Sequence, residues 1–466
     1  MFSKSRRSTR EPSRGIRTTS RSFHIESLGC AKNQVDSELM IAALQKEGWS
    51  LSEGPETADV LIVNTCGFIS PAKTESIETT LGLKARFPDK KVIMAGCLTE
   101  RYGSELAGEL SEIDAFLGNK DPAAIVELVE TGKAAHRAPR VRVPTSRAPR
   151  SPAPALAQER RLERTHLLSF PGTAYVKVAE GCTNRCTYCA IPLIRGDLAS
   201  RSRESLLEEI RGLLGRGVKE LVMIAQDLGS FGLDRGHQEL PRLLEEIASL
   251  PGHFWVRLLY IHPDRFPREI LDIIAGDARF LPYFDLPFQH AAPGILRAMG
   301  RKGDPEANLS LLRDIRSPLP QAVIRSTFLV GFPGETDSDF RKLVDFQQEA
   351  RFDWLGAFTY SREEGTPAFS MKGRVTKAVV QERLREIERR QVPITEQALD
   401  AQVGKGVDVL IEERVEGEEM SIGRAYLHAP DVDGLVVVQR SLPTGEWART
   451  RITRRNGVDL EAEVEP

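Results

Sequence analysis

The sequence predicts an α/β protein of several domains, with an open α/β domain first, a central partial (β/α)6 barrel and a small all-β barrel at the end. Three observations predict this order. The chain has 466 residues, whereas a single hydrophobic core stops growing at about 250–300 residues. Apolar strand segments alternate with helical segments over most of the chain, which is typical of parallel sheets. Short alternating strands, separated by Gly, Pro and Asp, fill the last part.

Changes in composition mark the predicted domain boundaries. Residues 1–22 carry seven Lys or Arg and one acidic residue, and we expect a disordered basic arm there, with contact to RNA as the alternative. Residues 23–137 form the first predicted domain, and residues 138–167, rich in Pro, Ala and Arg, form an extended linker. Residues 168–398 and 400–466 form the central and terminal domains.

Composition also limits the class of protein. Hydrophobic residues make up 41% and charged residues 28% of the chain, as in ordinary soluble proteins, and the net charge is −2. No segment approaches the roughly 20 apolar residues of a membrane span, so we expect no membrane partner. The six cysteines occur in a long chain without an export signal, which favours metal ligation in the reducing cytoplasm over disulfides. Nothing in the sequence requires more than a monomer.

The first domain alternates predicted strands and helices. The strands are FHIESLG, ADVLIVNT and KKVIMAG, and the helices are SELMIAALQKEG and AKTESIETTLGLKARF. A cysteine follows each strand, and these three form the first cysteine set: Cys30, Cys66 and Cys97. Because the carboxyl ends of parallel strands share one sheet edge, we expect the three thiols to be neighbours that hold an iron–sulfur cluster or a zinc ion. The alternative is three unrelated buried cysteines.

The central domain begins with the strand AYVKVAE and a dense cysteine motif. In EGCTNRCTYCAIPLIRG, the second cysteine set (Cys182, Cys186 and Cys189) has the spacing C-x3-C-x2-C. Three thiolates can bind three irons of a 4Fe–4S cluster and leave the fourth iron open. The open iron can bind S-adenosylmethionine (SAM), and an electron then cleaves the sulfonium to give a 5′-deoxyadenosyl radical. A zinc site, the alternative, would require a fourth Cys or His close by.

Five further strand segments complete six βα units. They are ELVMIAQD, WVRLLYIHP, YFDLPFQH, AVIRSTFLVGFPGE and DWLGAFTYSREEG, and the helix that follows is expected to end at Pro393. The reactive groups of such barrels lie at the carboxyl ends of the strands. We therefore predict that five residues near strand ends or the cysteine motif bind the cofactor: Tyr188, Gln226, Asp227, Gly331 and Glu335. Roles in turns are the alternative for the last four.

Other polar residues give weaker signals. Arg195 and Arg201 can meet a substrate carboxylate or phosphate, or they are solvated loop charges. His290 follows a strand, but a structural histidine explains it equally well. The sequence identifies no catalytic residue beyond the cluster ligands.

The spacing of the second cysteine set, with Tyr188 before the last cysteine, resembles the radical SAM superfamily. Two three-cysteine sets in this order, followed by a terminal β module, resemble the methylthiotransferases over nearly the whole chain. This resemblance implies two 4Fe–4S clusters, an auxiliary cluster on the first set and a SAM-binding cluster on the second. It also implies a TRAM domain that grips the substrate, conversion of a C–H bond to C–SCH3, and an electron donor as a partner.

Several stretches resemble the RimO type, which modifies an aspartate of the twelfth protein of the small ribosomal subunit. The other branch, the MiaB type, modifies an adenosine in tRNA. The stretches include SLGCAKNQVDSE, AQDLGSFGLD, PYFDLPFQHA and FTYSREEGTPA. Ala31 and Ser202 depart from the common pattern, but neither is at a ligand position.

Charge gives an independent argument about the substrate. Residues 401–466 hold eight Lys or Arg against thirteen Asp or Glu, and this net charge of −5 suits a basic ribosomal protein better than tRNA. The resemblance therefore implies methylthiolation at the β-carbon of an aspartate in that ribosomal protein, either free or on the ribosome. A tRNA-adenosine methylthiotransferase is the second hypothesis. An electron-transfer or cluster-carrier protein is the third.

Overall fold

Two six-stranded parallel sheets and a closed five-stranded barrel succeed one another along the chain. The structure, a computed structural model, describes residues 21–130, 140–142 and 163–465. Nearly all of the predicted basic arm and most of the predicted linker lie outside these residues. The three parts have the architecture and the order that the sequence predicts.

The first domain is a parallel sheet with apolar clusters on both faces. Its described elements are β1 (Ser22–Ser27), α1 (Ala31–Lys46), β2 (Ser50–Leu51), β3 (Val60–Thr65), α2 (Ser70–Arg86), β4 (Lys91–Gly96), α3 (Cys97–Glu109), β5 (Ala115–Leu117), α4 (Ile125–Glu130) and β6 (Arg140–Arg142). The strand order is β2-β1-β3-β4-β5-β6. β3 and β4 are buried along their whole length, because clusters that include Ile41 and Leu106 cover the two faces. Part of the predicted linker thus forms the edge strand β6.

The central domain is an open (β/α)6 barrel. Its described elements are β7 (Thr173–Lys177), β8 (Ala179–Glu180), α5 (Ile191–Ile194), β9 (Ala199–Ser200), α6 (Arg203–Gly215), β10 (Glu220–Ile224), α7 (Leu240–Ala248), β11 (Trp255–Leu258), α8 (Ile270–Gly276), β12 (Phe280–Asp285), α9 (Pro293–Ala298), α10 (Pro305–Arg316), β13 (Val323–Val330), α11 (Asp337–Ala350), β14 (Trp354–Thr359) and α12 (Lys377–Asp400). Six strands pair in parallel in the chain order β7-β10-β11-β12-β13-β14. The sequence predicts these six βα units.

The terminal domain is a closed barrel. It consists of β15 (Gly406–Arg414), β16 (Ser421–Arg424), β17 (Val436–Val438), β18 (Trp447–Asn456) and β19 (Asp459–Val464). The strands close in the order β15-β16-β17-β19-β18. Single 3₁₀ turns occur in the first two domains at Pro122–Ala124, Leu228–Ser230, Leu233–Arg235, Pro263–Arg265 and Pro367–Ser370. In the part of the chain that the structure describes, no helix has the length and apolar character needed to cross a membrane.

Both smaller domains pack against the same face of the central sheet. Val222 and Trp255 of this sheet belong to one apolar cluster with Leu39 of α1. The same cluster includes Val409 of β15, and the ring centroids of Trp255 and Trp447 are 4.2 Å apart. The three domains therefore share a hydrophobic core on this face, while the opposite face packs against the helices of the central domain.

The helix α1 begins earlier than the sequence predicts. It starts at Ala31, directly after Cys30, whereas the apolar pattern predicts a start at Ser37. The first turn carries polar side chains, including Lys32 and Asn33, and these are buried because they contact groups of the central domain. Tertiary contacts thus extend the helix beyond its amphipathic segment.

The prediction that the last helix ends at Pro393 is wrong. α12 continues through Pro393 to Asp400. Beyond the proline, Thr395 Oγ1 donates to the Asp353 carbonyl at 2.7 Å, and Leu399 is buried in the shared core. These contacts offset the cost of a proline inside a helix, which is about 3 kcal/mol.

Candidate cluster sites

The first cysteine set lies at one edge of the first sheet. Cys30 precedes α1 after β1, Cys66 follows β3, and Cys97 is the first residue of α3 after β4. β1, β3 and β4 are neighbours in the sheet. The structure thus brings together three cysteines that are more than 30 residues apart in the sequence.

Two glycines allow the strand ends to approach each other. Gly29 has a φ of +91°, and a Cβ at this position would lie 2.9 Å from the Cys66 Cβ. Gly96 has a φ of +98°, and a Cβ there would lie 2.7 Å from the Thr65 carbonyl oxygen. Larger residues would be strained at both positions and would push the cysteine loops apart.

Cys97 is the most enclosed member of the first cysteine set. Its thiol donates to Asn33 Oδ1 at 3.2 Å, and its sulfur accepts from Asn119 Nδ2 at 3.4 Å and from Arg195 Nη2 at 3.3 Å. Burial raises the pKa of Cys97 to about 11, although Arg195 acts in the opposite direction. Hydrogen-bond donors around a sulfur are the usual surroundings of an iron–sulfur ligand.

The second cysteine set lies on the loop after β8, beside the carboxyl end of the first barrel strand. Arg185, within this loop, has a φ of +57° and turns the chain sharply. The Cys182 N–H donates to the Gly196 carbonyl at 3.1 Å, and the Thr187 N–H donates to the Met299 carbonyl at 2.9 Å. These backbone hydrogen bonds hold the loop on two sides.

The surroundings of two members of the second set, Cys182 and Cys189, disfavour free thiolates. Burial raises the pKa of Cys182 to about 11 and that of Cys189 to about 12. A bound metal ion reverses this preference because it replaces the thiol proton. Among the described residues, no three His, Cys, Asp or Glu side chains form a group that could hold one metal ion. A cubane makes no such demand, because each of its irons takes its own thiolate.

Two of the predicted cofactor-binding residues are carboxylates that accept hydrogen bonds from other residues of the chain. Asp227 accepts from Asn184 Nδ2 at 2.7 Å and from the Gly229 and His262 N–H groups at 3.0 Å. Because Asn184 lies between Cys182 and Cys186, Asp227 fixes the loop of the second set to the end of β10. Burial raises the pKa of Asp227, although these hydrogen bonds lower it.

Glu335 has a similar position at the end of β13. Its Oε2 accepts from the Gly331 N–H at 2.6 Å and the Phe332 N–H at 3.2 Å, and its Oε1 accepts from Arg383 Nη1 at 2.7 Å. Gly331, also predicted to bind the cofactor, has a φ of +78° and lies next to Val380 of α12. Glu335 therefore braces the turn that follows β13.

Buried polar atoms without a partner lie beside the second cysteine set and at the ends of barrel strands. Within the described residues, Gln226 Oε1, Tyr360 Oη and Arg301 Nη2 have no hydrogen-bond partner. Arg301 Nη1 donates to Tyr188 Oη at 3.2 Å, so it lies close to the second set. A polar cofactor such as SAM fits this arrangement because it would satisfy these groups. Sequence reasoning missed Arg301, which approaches the cysteine loop only through the fold.

Arg195 connects the two cysteine sets. It follows the second set in the chain, yet its Nη2 donates to Cys97 Sγ, to Asn33 Oδ1 at 2.7 Å and to Asp36 Oδ2 at 2.9 Å. Its Nη1 donates to Glu180 Oε1 at 2.9 Å. The interpretation of Arg195 as a solvated loop charge is therefore wrong, because its side chain is only 2% exposed.

Lys177 and Arg201 complete the buried charges around Arg195. Lys177 Nζ pairs with Asp36 Oδ1 at 2.7 Å, and a lysine inside the strand AYVKVAE is the one sequence signal for this network. Arg201 is also buried, since its Nη1 donates to the Lys177 carbonyl at 3.1 Å and pairs with Glu209. The solvated interpretation of Arg201 is wrong as well.

His290 is buried, with a pKa that burial lowers to about 4.

A cavity of about 210 Å³ opens beside the first cysteine set. It is lined by residues of the first domain, by Leu168 and by Asp431 of the terminal barrel; the lining from the first domain is Ile25, Ser27, Gly29, Cys30, Ala31 and Gln34. Cys30 is the exposed member of the set. Although desolvation opposes ionisation, Lys32 and Arg195 lower the pKa of Cys30 below its ordinary value.

Three family models match the chain. Residues 22–118 match Uncharacterized protein family UPF0004, residues 176–346 match the Radical SAM superfamily, and residues 403–464 match the TRAM domain. The radical SAM match implies a 4Fe–4S cluster and SAM, and the second cysteine set suits that cluster.

Relatives with known names are similar over almost the whole chain. Ribosomal protein uS12 methylthiotransferase RimO of Treponema denticola is 42% identical, over 93% of this chain and 98% of the relative. The protein of the same name from Carboxydothermus hydrogenoformans is 40% identical, over 95% and 99%. Among solved structures, the radical SAM methyltransferase TsrM from Kitasatospora setae has a TM-score of 0.54 at 18% identity, over 75% of this chain and 77% of that one, which shows a shared fold.

Proposed function

Since the chain belongs to the RimO family of ribosomal protein uS12 methylthiotransferases, we propose that it inserts a methylthio group at the β-carbon of an aspartate of uS12. It is a radical SAM methylthiotransferase, and uS12 is its substrate. In this proposal the second cysteine set holds the SAM-binding cluster, and the first cysteine set holds an auxiliary cluster that delivers sulfur.

The contact between Arg195 and Cys97 is the observation that supports two cooperating clusters. Arg195 follows the short helix α5, which comes directly after the second set, and its guanidinium lies 3.3 Å from a sulfur of the first set. A carbon that must lose hydrogen at one cluster and receive sulfur at another requires two adjacent sites. Arg195 joins the two loops directly, so the target carbon would not have to travel between distant sites.

The bound cluster and SAM would supply radical chemistry, which can remove hydrogen from a carbon that no general base can deprotonate at neutral pH. The chain's own residues position these groups. Asp227 holds the loop of the second set through Asn184. Arg301 and Gln226 offer a cationic donor and an amide to the polar parts of SAM, because each has a buried atom without a partner in the described chain.

The charge of the terminal barrel favours a basic protein over tRNA as the substrate. Glu413 near the end of β15 is exposed, as are Glu416, Glu418 and Glu419 in the turn between β15 and β16. Acidic side chains attract a basic ribosomal protein and repel the phosphates of tRNA.

The proposal also requires an electron donor, and six free cysteines suit a reducing cytoplasm. We assign the enzyme to the cytoplasm as a monomer that meets uS12 free or on the ribosome.

Mass spectrometry of uS12 tests the proposal. In cells that lack this protein, we expect uS12 to lose one methylthio group, and the wild-type gene should restore it. Cys182→Ala should abolish SAM cleavage, whereas Cys66→Ala should retain cleavage and lose thiolation, because the two cysteines belong to different sets.

Iron analysis separates the proposal from its alternatives. Two clusters predict roughly eight irons per chain after anaerobic reconstitution, and about four would remove the auxiliary cluster. A cluster carrier would hold iron but would not cleave SAM. Loss of the methylthio group from tRNA, with uS12 unchanged, would contradict the proposed substrate.

A further inference from the structure

Lys32 is a buried lysine whose charge the described chain leaves without a carboxylate. It is the second residue of α1, two positions after Cys30, and is 8% exposed. Its Nζ donates to the Ala225 carbonyl at 3.3 Å and lies 3.7 Å from the centroid of the Tyr260 ring. Within the described residues it has no carboxylate oxygen within 4.0 Å. An ammonium group has three donors, and burying it without an anion costs several kcal/mol in general.

The nearby carboxylates already have cations of their own. Glu180 is paired with Lys177 and Arg195. Asp285 lies 3.6 Å from Arg325 and accepts from the Tyr260 N–H at 3.2 Å. The nearby carboxylates are therefore compensated by other cations, and the acidic group whose charge acts most strongly on Lys32 is the Cys30 thiol, a proposed cluster ligand. No carboxylate of the described chain is thus left for the Lys32 ammonium.

The position of Lys32 relates it to both cysteine sets. It lies two residues after Cys30 of the first set, and its ammonium donates to the carbonyl of Ala225, directly after β10. The next residue, Gln226, has a buried Oε1 without a partner in the described chain. Asp227 then holds Asn184, inside the second set. The lysine thus lies where the first domain meets the carboxyl ends of the barrel strands.

We propose that Lys32 binds the side-chain carboxylate of the substrate aspartate. This inference rests on the proposed function and identifies the residue that selects an aspartate over a neutral target. The β-carbon of aspartate is bonded directly to its carboxylate carbon, so an ion pair with Lys32 fixes the β-carbon between the two cysteine sets. A neutral substrate leaves the buried Lys32 ammonium without a carboxylate partner. The free-energy penalty of this unpaired charge excludes the neutral substrate.

Peptide binding to the full reconstituted enzyme tests Lys32 without turnover. The probes are two synthetic peptides that cover the modified site of uS12, one with the aspartate and one with asparagine in its place. Fluorescence anisotropy without SAM should show that the wild-type protein prefers the aspartate peptide by about tenfold to a hundredfold, the range of a hydrogen bond to a charged group. Lys32→Met should bind both peptides equally, and Lys32→Arg should retain part of the preference.

Lys46→Met is the matched control, because Lys46 is an exposed lysine in the last turn of the same helix. It should keep the wild-type preference, and iron content should be equal in all variants. A wild-type protein that binds both peptides equally would overturn the inference even if Lys32→Met did not fold. So would a Lys32→Met protein that still prefers aspartate. If the wild-type protein fails to thiolate uS12 under any condition, the proposed function fails instead.

Discussion

Arg195 shows how much one side chain contributes to this site. Its guanidinium has acidic partners on both sides, Asp36 in the first domain and Glu180 in the central domain, and it also donates to the sulfur of Cys97. Charges at such depth are stable only when they are paired, so each partner depends on the others.

We predict that Arg195→Leu lowers the free energy of unfolding of the cluster-free protein by about 3–5 kcal/mol, because it leaves buried carboxylates short of a cation. In the reconstituted protein, the cluster that we propose on the first set should have a more negative reduction potential, since a cationic donor to a ligand sulfur favours the reduced state. Urea unfolding and an EPR-monitored redox titration measure the two effects.

Arg185→Leu is the control for Arg195, because Arg185 lies only ten residues earlier in the chain, on the other side of α5, and its pair with Asp197 is 60% and 45% exposed. It should change the free energy of unfolding by about 1 kcal/mol at most. Equal losses in the two variants would contradict the role given to Arg195.

At the residue scale, the sequence predicts the parts of the site that follow from chain position. Cys30, Cys66 and Cys97 could be placed together because the ends of parallel strands share an edge. Arg195 and Arg301 could not, since their partners are far away in the sequence and approach only when domains pack. Charged residues such as these look like solvated loop residues until their burial is known.

The loop after β14 is one of the elements that fasten the first domain to the barrel. Glu363 in this loop is buried and accepts from Lys73 Nζ at 2.8 Å and from Arg101 Nη1 at 2.6 Å. Arg101 Nη2 also donates to the Glu364 carbonyl at 2.7 Å. Lys73 belongs to α2 and Arg101 to α3, the helix that begins at Cys97, so this loop supports the first cysteine set from outside.

Glu363→Gln should destabilise the protein by about 3–5 kcal/mol, because two cations lose their anion in a buried position. We also expect faster loss of iron from the first set, measured by chelator-induced bleaching of the reconstituted protein. Glu364→Gln should have an effect within about 0.5 kcal/mol, since the adjacent side chain is exposed. If iron release is unchanged in Glu363→Gln, the loop does not support the cluster.

Helices and strands were predicted well where their apolar pattern is regular, as in β3, β4 and the six barrel strands. The errors at α1 and α12 have one physical cause. Local propensity and the rule for proline favour shorter helices, but buried contacts of Asn33 and Thr395 with other elements extend them.

For the molecule as a whole, an ionic network fixes the terminal barrel to the central sheet. Glu220 of β10 is fully buried and pairs with Arg257 and with Arg424 of β16. Burial alone would raise the pKa of Glu220, but Arg424 and Arg257 lower it to about 2, from an ordinary value of 4.5. A pKa that folding lowers contributes stability above the unfolded value and loses it as the pH falls toward the folded value.

This network predicts an acid-sensitive connection between the domains. The Glu220 carboxylate should contribute about 3 kcal/mol at neutral pH, and this contribution should disappear between about pH 5 and pH 2. Glu220→Gln should therefore be less stable than the wild-type protein at pH 7, and the difference should shrink at pH 3. Urea unfolding at the two pH values measures it.

Glu446→Gln is the control, because its pair with Lys219 joins the same two domains at the surface. Its difference from the wild-type protein should be small at both pH values. A Glu220→Gln difference that persists at pH 3 would mean that packing, and not charge, accounts for the loss.

The topology of the molecule was predictable from the alternation of elements, but the docking of its domains was not. No local pattern shows that Val222 and Trp255 face another domain, because fully buried strands look alike whatever covers them.

The shared core on the central sheet determines how a truncated form of the protein should behave in the cell. A translation product that stops before β15 would present the bare indole of Trp255 and its apolar neighbours to chaperones and proteases. Quality control would then remove the first two domains along with the missing third, so a late stop codon should act like a deletion of the gene.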